Sequence, residues 1–176
     1  MSLERFINEA VSPWMKESGP NDDIVLSSRI RLARNLEDFV FPVLSSLQDS
    51  EAVLNTVQAH VAKHTADELA NLELVLMRDL EPIQKQVLVE KHLISPHLAN
   101  ESENGAVLLS PDESISIMIN EEDHLRIQHL GSGLRLQEVL EKANRIDDLL
   151  EETLDYAFDE KRGYLTSCPT NVGTGM

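Results

Sequence analysis

Three stretches of the chain gather residue types that can do chemistry. In Ser27-Ser28-Arg29-Ile30-Arg31-Leu32-Ala33-Arg34-Asn35, arginines and small hydroxyls sit together in a sequence otherwise short of positive charge. If the stretch is extended, Arg29 and Arg31 share a face, and two planar guanidinium forks can grip one polyanion, with nucleotide phosphates the natural candidate. Surface pairing with the abundant acids is the plainer account of the same spacing. Asn120-Glu121-Glu122-Asp123-His124-Leu125-Arg126 packs three carboxylates, an imidazole and a guanidinium into seven residues. Carboxylates so close repel, and are tolerated in water or opposite a cation such as a guanidinium or ammonium. A solvated turn is the plainer account here. Cys168-Pro169-Thr170-Asn171-Val172-Gly173-Thr174-Gly175 joins the lone thiol to glycines, which permit close backbone approach to a ligand. Neighbouring donors would lower the thiol pKa, although a single cysteine is commonly just a small apolar core residue. The loop lacks the Gly-Lys-Ser/Thr ending of a P-loop. His92 and His97, like His124 and His129, are five apart rather than four and lie in no His-Glu-x-x-His pattern, so no protein-held metal is expected.

The surrounding patterns predict the elements that position these groups. A short helix is expected from Glu4 to Glu9, broken by Pro13, Gly19 and Pro20. Asp23-Ile24-Val25-Leu26 reads as the entry of a strand that runs into the arginines. Helical spacing follows from about Gln48 to Lys63, then alternation at Leu72, Leu74 and Leu76. Pro82 suits a first helical turn, with Ile83 to Lys91 continuing it. Gly105 to Leu109 and Ser114 to Asn120 read as antiparallel strands around Ser110-Pro111-Asp112, with Ile115, Ile117 and Ile119 on one face. Leu125 and Ile127 begin another strand. The longest helix is expected from about Leu134 to Ala157, with Glu141, Asp147, Asp148, Glu151 and Glu152 on a solvated face.

The whole chain has 176 residues, 41% hydrophobic but only 4% aromatic, so aliphatic side chains must build the core. Its formal charge of −16 argues against a general phosphate-backbone binder, though not against a small basic nucleotide pocket. No apolar run reaches the roughly 20 residues of a membrane span and no secretory leader is evident, which makes the cytoplasm the default location. One cysteine excludes an intrachain disulfide framework. The sequence stops in what reads as mid-loop, as a fragment of a longer domain would.

Taken together and in this order, the three stretches resemble the catalytic domain of the phosphagen, or ATP:guanido, kinases. The likeness runs from about Ile24 to Met176, leaving residues 1–23 as a short lead-in and 24–176 as the N-terminal portion of that domain. The brief entry and Leu36-Glu37-Asp38-Phe39-Val40-Phe41-Pro42 are similar to the bacterial protein-arginine kinase branch, which lacks the helical domain preceding the first arginine motif in the metabolic enzymes. The resemblance implies an α+β fold, an antiparallel sheet flanked by helices with ATP bound on the sheet and Mg2+ bridging its phosphates. Ser27, Ser28, Arg29, Ile30 and Arg31 then fall in the first nucleotide-binding motif, Arg126 matches another phosphate-binding arginine, and His92 a nucleotide-contacting histidine. Glu122 matches a carboxylate that contacts the guanidinium, Glu121 adjoins it, and Cys168 is the signature-loop thiol.

The implied activity is ATP-dependent phosphorylation of arginine in proteins. The isolated fragment is expected to have little activity, because further phosphate-binding arginines lie beyond the signature loop in the family. Stress response, a zinc-finger activator, a protease-associated chaperone and a homodimeric full-length chain are implications of the same resemblance. Two other readings stay open: a kinase for free arginine or another guanidino metabolite, and a noncatalytic acidic module that binds arginine-rich partners.

Overall fold

Alternating aliphatic residues build the centre of the structure, a computed structural model that describes residues 2–176. Five strands form one sheet: β1 (Ser27–Arg34), β2 (Glu73–Leu76), β3 (Ala106–Leu109), β4 (Ile115–Ile119) and β5 (Leu125–Ser132). Their order is β1-β5-β4-β3-β2, and every pairing is antiparallel. Five helices accompany them: α1 (Ser2–Asn8), α2 (Leu47–Val61), α3 (Pro82–Glu90), α4 (Pro96–Glu101) and α5 (Leu136–Glu151). A small ribbon, β6 (Phe158–Asp159) with β7 (Gly163–Tyr164), leads into the C-terminal loop. This is the α+β, helix-flanked antiparallel sheet expected from the sequence.

The two sheet faces have different fates. Leu32, Leu108, Ile117, Ile119, Leu125 and Ile127 pack on one face with Val53, Leu54 and Val57 of α2 and Ala143, Ile146 and Leu150 of α5. On the opposite face Val75, Val107, Leu109 and Met118 meet Phe6 of α1, Leu88 of α3 and Leu98 of α4. That second layer covers the β2-β3-β4 side. The β1-β5 side of the same face carries polar and charged residues and forms a cleft floor.

Several expectations need correction. Asp23–Leu26 is a turn and approach, not a strand; Ile24 and Leu26 stay exposed, and the ladder begins at Ser27, paired with Ser132. The long helix ends at Glu151 rather than Ala157. Residues 155–157 instead run beside the end of β1, where Glu37 N donates to Asp155 O (2.9 Å) and Ala157 N to Asn35 O (2.8 Å). Leu154 and Ala157 keep their burial, which is why their helical spacing misled. Asp147 is buried, not solvated, because Arg34 reaches it across the core. Helix α4 was not anticipated, although Ser95 caps it through Leu98 N (3.1 Å) and Pro96 opens it.

The lead-in is fastened to the sheet layer. Lys91 Nζ donates to Phe6 O (2.9 Å) and to Glu113 Oε1 (2.6 Å), and Ser12 Oγ donates to Glu113 Oε2 (2.5 Å). Lys91 and Glu113 are both buried, so each neutralises a charge the other could not leave unpaired.

Candidate functional site

Strand register decides which residues meet. Arg29 lies opposite Leu130, Arg31 opposite Gln128, and Ala33 opposite Arg126, which in turn lies opposite Met118. Directly paired residues project to the same side, so Arg29, Arg31, Gln128 and Arg126 share the uncovered half of the sheet. The loop after α3 supplies His92, held at φ +59°, its carbonyl accepting from Gln128 Nε2 (2.7 Å). These residues line an open cleft of about 350 Å³ bounded by Ile94, Ser95 and Met118. Partial burial, followed by the like charges of Arg126 and Arg29, pushes the Arg31 guanidinium below its ordinary pKa. Three crowded cations, of which Arg126 is paired with Glu121, suit a polyanion such as a nucleotide's phosphates.

The alternation that assembles this cleft excludes two residues expected in it. Ser28 faces the other way: its hydroxyl donates to Gly133 O (2.7 Å) and accepts from Arg135 N (2.9 Å). Ile30 packs against the core. Their side chains are structural. Ser27 lies exposed on the cleft's face at the start of β1.

Behind the cleft, the turn between β4 and β5 distributes its three acids to different tasks. Glu121 is buried; its Oε2 accepts from Arg126 Nη1 (2.8 Å) and Glu122 N (2.9 Å), and its Oε1 accepts from Ser95 Oγ (2.7 Å). Burial alone would raise its pKa, but the Glu122 amide, the Ser95 hydroxyl and Arg126 outweigh it and hold the carboxyl below its ordinary value. Glu122 is exposed, with its nearest cation, Arg126 Nη1, at 3.8 Å. Its carboxylate is available to a ligand.

Asp123 is a positioning residue the sequence reading did not single out. Buried at 2% exposure, its Oδ1 accepts from Asn35 Nδ2 (2.6 Å) and Ser167 N (2.7 Å). Asn35 in turn accepts from His124 N (2.9 Å) and donates to Leu165 O (3.1 Å). One carboxylate thus ties the end of β1 to the acidic turn and to the residue before Cys168. The available signal was the pairing of an amide at the end of one charged motif with an acid in the next. Cys168 itself is half-buried, its Sγ 2.9 Å from Thr170 Oγ1.

Glu121, Glu122 and Ser167 line a second cavity, of about 640 Å³, together with Glu101 and Glu103. No lysine or arginine lines it. A basic cleft and an acidic cavity therefore lie back to back, with the Glu121–Arg126 ion pair between them. Such an arrangement can hold an anion and a cation side by side, which suits transfer of a phosphoryl group onto a cationic acceptor.

The chain is similar to known proteins in sequence and in fold. Residues 52–176 match the family model described as ATP:guanido phosphotransferase, C-terminal catalytic domain. The protein-arginine kinase of Halalkalibacterium halodurans is 63% identical over the whole chain, which covers 49% of that protein. That of Geobacillus stearothermophilus is 57% identical, again over the whole chain and 48% of its own length. The chain thus spans about half the length of the curated relatives it matches. Among solved structures, the duplicated taurocyamine kinase from Schistosoma mansoni with bound transition state analog components superposes with a TM-score of 0.81 at 22% identity, covering 92% of this chain and 24% of that one. Lombricine kinase gives 0.75 at 20% identity over 98% of this chain and 54% of that one. The fold agrees with theirs, and the family match takes in both the acidic turn and the cysteine loop: the chain belongs to the ATP:guanido phosphotransferase catalytic-domain family.

Proposed function

We propose that the protein carrying this chain is an ATP-dependent kinase that phosphorylates arginine side chains in proteins. The observation that carries this reading is the junction of a basic cleft and an acidic cavity at the Glu121–Arg126 pair. Relatives named protein-arginine kinase, at 54–63% identity, support the choice of acceptor.

Arg29, Arg31 and Arg126 hold the nucleotide's phosphates and neutralise charge on the group in transfer. The acceptor guanidinium is protonated in water and has no free lone pair to attack phosphorus. Glu122 orients it and takes its proton as the nitrogen bonds to the γ-phosphorus and the bond from that phosphorus to the β–γ bridging oxygen breaks, releasing ADP. Glu121, already bonded to Arg126 and Ser95, fixes the cleft wall, and Cys168 flanks the acceptor. Magnesium bound with the nucleotide would add charge neutralisation beside Arg29, Arg31 and Arg126.

In the same reading the partners are arginine-bearing proteins, a zinc-finger activator and a protease-associated chaperone, the full-length protein is a homodimer, and the compartment is the cytoplasm. Among the described residues, no helix is long and apolar enough to cross a membrane.

The test is phosphoarginine formation with MgATP, under nonacidic conditions, by the full-length protein and by this chain alone. The expected result is product on a protein substrate from the full-length protein, little from this chain alone, and weak competition by free arginine. Product on free arginine in preference to protein would favour a metabolite kinase. Salt-sensitive binding of arginine-rich proteins with no product would leave the noncatalytic binding module.

A further inference from the structure

Part of the lining of the acidic cavity is apolar and exposed. A single turn at Pro42–Leu44 and the start of α2 place Val43 and Leu47 on it, at 75% and 60% exposure, with Leu44 beside them at 81%. Large aliphatic side chains left this open in a row usually mark a contact surface.

The segment is pinned rather than loose. The His124 ring accepts from Leu36 N at Nδ1 (3.0 Å), which leaves Nε2–H to donate to Val40 O (3.0 Å). Asn104 Nδ2 donates to Leu47 O (2.9 Å), and Asn120 Nδ2 donates to Ser50 O (2.7 Å). The apolar wall therefore keeps a fixed position relative to the acidic turn that carries Glu122.

Resting on the kinase reading above, we propose that Val43, Leu47 and Leu44 form a specificity shelf for an apolar side chain beside the acceptor arginine. Charge and polarity choose the occupant. The carboxylates of the cavity take a guanidinium, and its aliphatic lining takes a hydrocarbon side chain from the same molecule. An extended peptide turns residues two apart to the same side, at roughly 7 Å. The preferred acceptor is therefore a polypeptide with a leucine-like residue two positions from its arginine. A free guanidino metabolite has nothing to place on the shelf.

The test compares kcat/KM of the full-length protein on peptides that carry leucine or serine two positions from a single arginine. The leucine peptides should be favoured by about fivefold to tenfold, a modest share of what a buried hydrophobic pocket gives. In V43S/L47S that preference should fall to about one. Equal rates for both peptides with the unmodified protein would overturn the shelf. Equal rates accompanied by a lower Tm of V43S/L47S would also overturn it, and would assign the surface to another part of the full-length chain. Absence of phosphoarginine on every peptide would defeat the kinase reading and the shelf with it.

Discussion

Arg29 and Arg31 reach one cleft because Ile30, between them, gives its side chain to the core. Each step along an extended strand reverses the side chain, so position 34 falls on the opposite face, and Arg34 enters the core instead of the cleft. Parity alone separates two cleft-facing arginines from a structural one. Replacing one charged hydrogen-bonding partner typically costs enough to weaken binding tenfold to about a hundredfold. Arg31→Ala should therefore weaken nucleotide binding by that factor with little change in Tm, as a nucleotide titration paired with a melt would show. At the other cavity, Glu122→Gln keeps the shape but removes the proton acceptor proposed above. It should lower kcat by about 10²–10⁴-fold while nucleotide affinity holds. An effect confined to KM would make Glu122 a binding group without a proton-transfer role.

Between elements, the Arg34–Asp147 pair joins β1 to α5 and holds the loop that follows. Arg34 Nη2 lies 2.6 Å from Asp147 Oδ2, its Nη1 donates to Thr174 O (3.4 Å), and its guanidinium sits 3.6 Å from the Tyr164 ring centroid. Burial pushes the Asp147 carboxyl above its ordinary pKa and Arg34 pulls it back, so removing the arginine strands a charge in the core. Arg34→Met should cost about 3–5 kcal/mol, and R34M/D147L distinctly less, in denaturant unfolding of the full-length protein. Equal losses would mean that shape rather than charge matters there. This contact also marks where the sequence stopped being readable. Helical periodicity located α2 and the body of α5, and the alternation of Ile115, Ile117 and Ile119 located β4, because both patterns record burial against one neighbour; β3, buried on both faces, was legible only as a short apolar run before the Ser110-Pro111-Asp112 turn. Periodicity could not say that Asp147, on a face with Glu141 and Asp148, had a partner 113 residues away. Nor could it show that Leu154 and Ala157 are buried in a chain that has left the helix. The acidic turn was legible as a cluster, but its division into a paired Glu121, an open Glu122 and a positioning Asp123 depends on Ser95, Arg126 and Asn35, brought there by the fold.

At the scale of the molecule, two kinds of charge respond to acid with opposite sign. The formal charge of −16 repels itself, so adding protons should relieve strain in the compact state. Against this stand His60, His124 and His129, at 2%, 1% and 5% exposure. Burial is the leading cause that holds each below the ordinary imidazole value, reinforced at His60 by the charge of His64 and at His129 by that of Lys142. As pH falls below about 6.5, the unfolded chain takes up protons at these positions and the native chain does not. Stability is then lost until the folded-state values are reached, at up to about 1.4 kcal/mol per pH unit for each imidazole. Carboxylates of ordinary pKa stay ionised over most of that window, and physiological salt screens the diffuse repulsion beyond about 8 Å, so the histidines should win. Thermal melts at 0.15 M salt should show Tm falling as pH is lowered from 7.5 to 5.0. His129→Gln should flatten the slope, because its ring loses a titratable proton without entering either cavity. A Tm that rises over the same range would mean that relief of surface repulsion, rather than imidazole burial, governs the acid response.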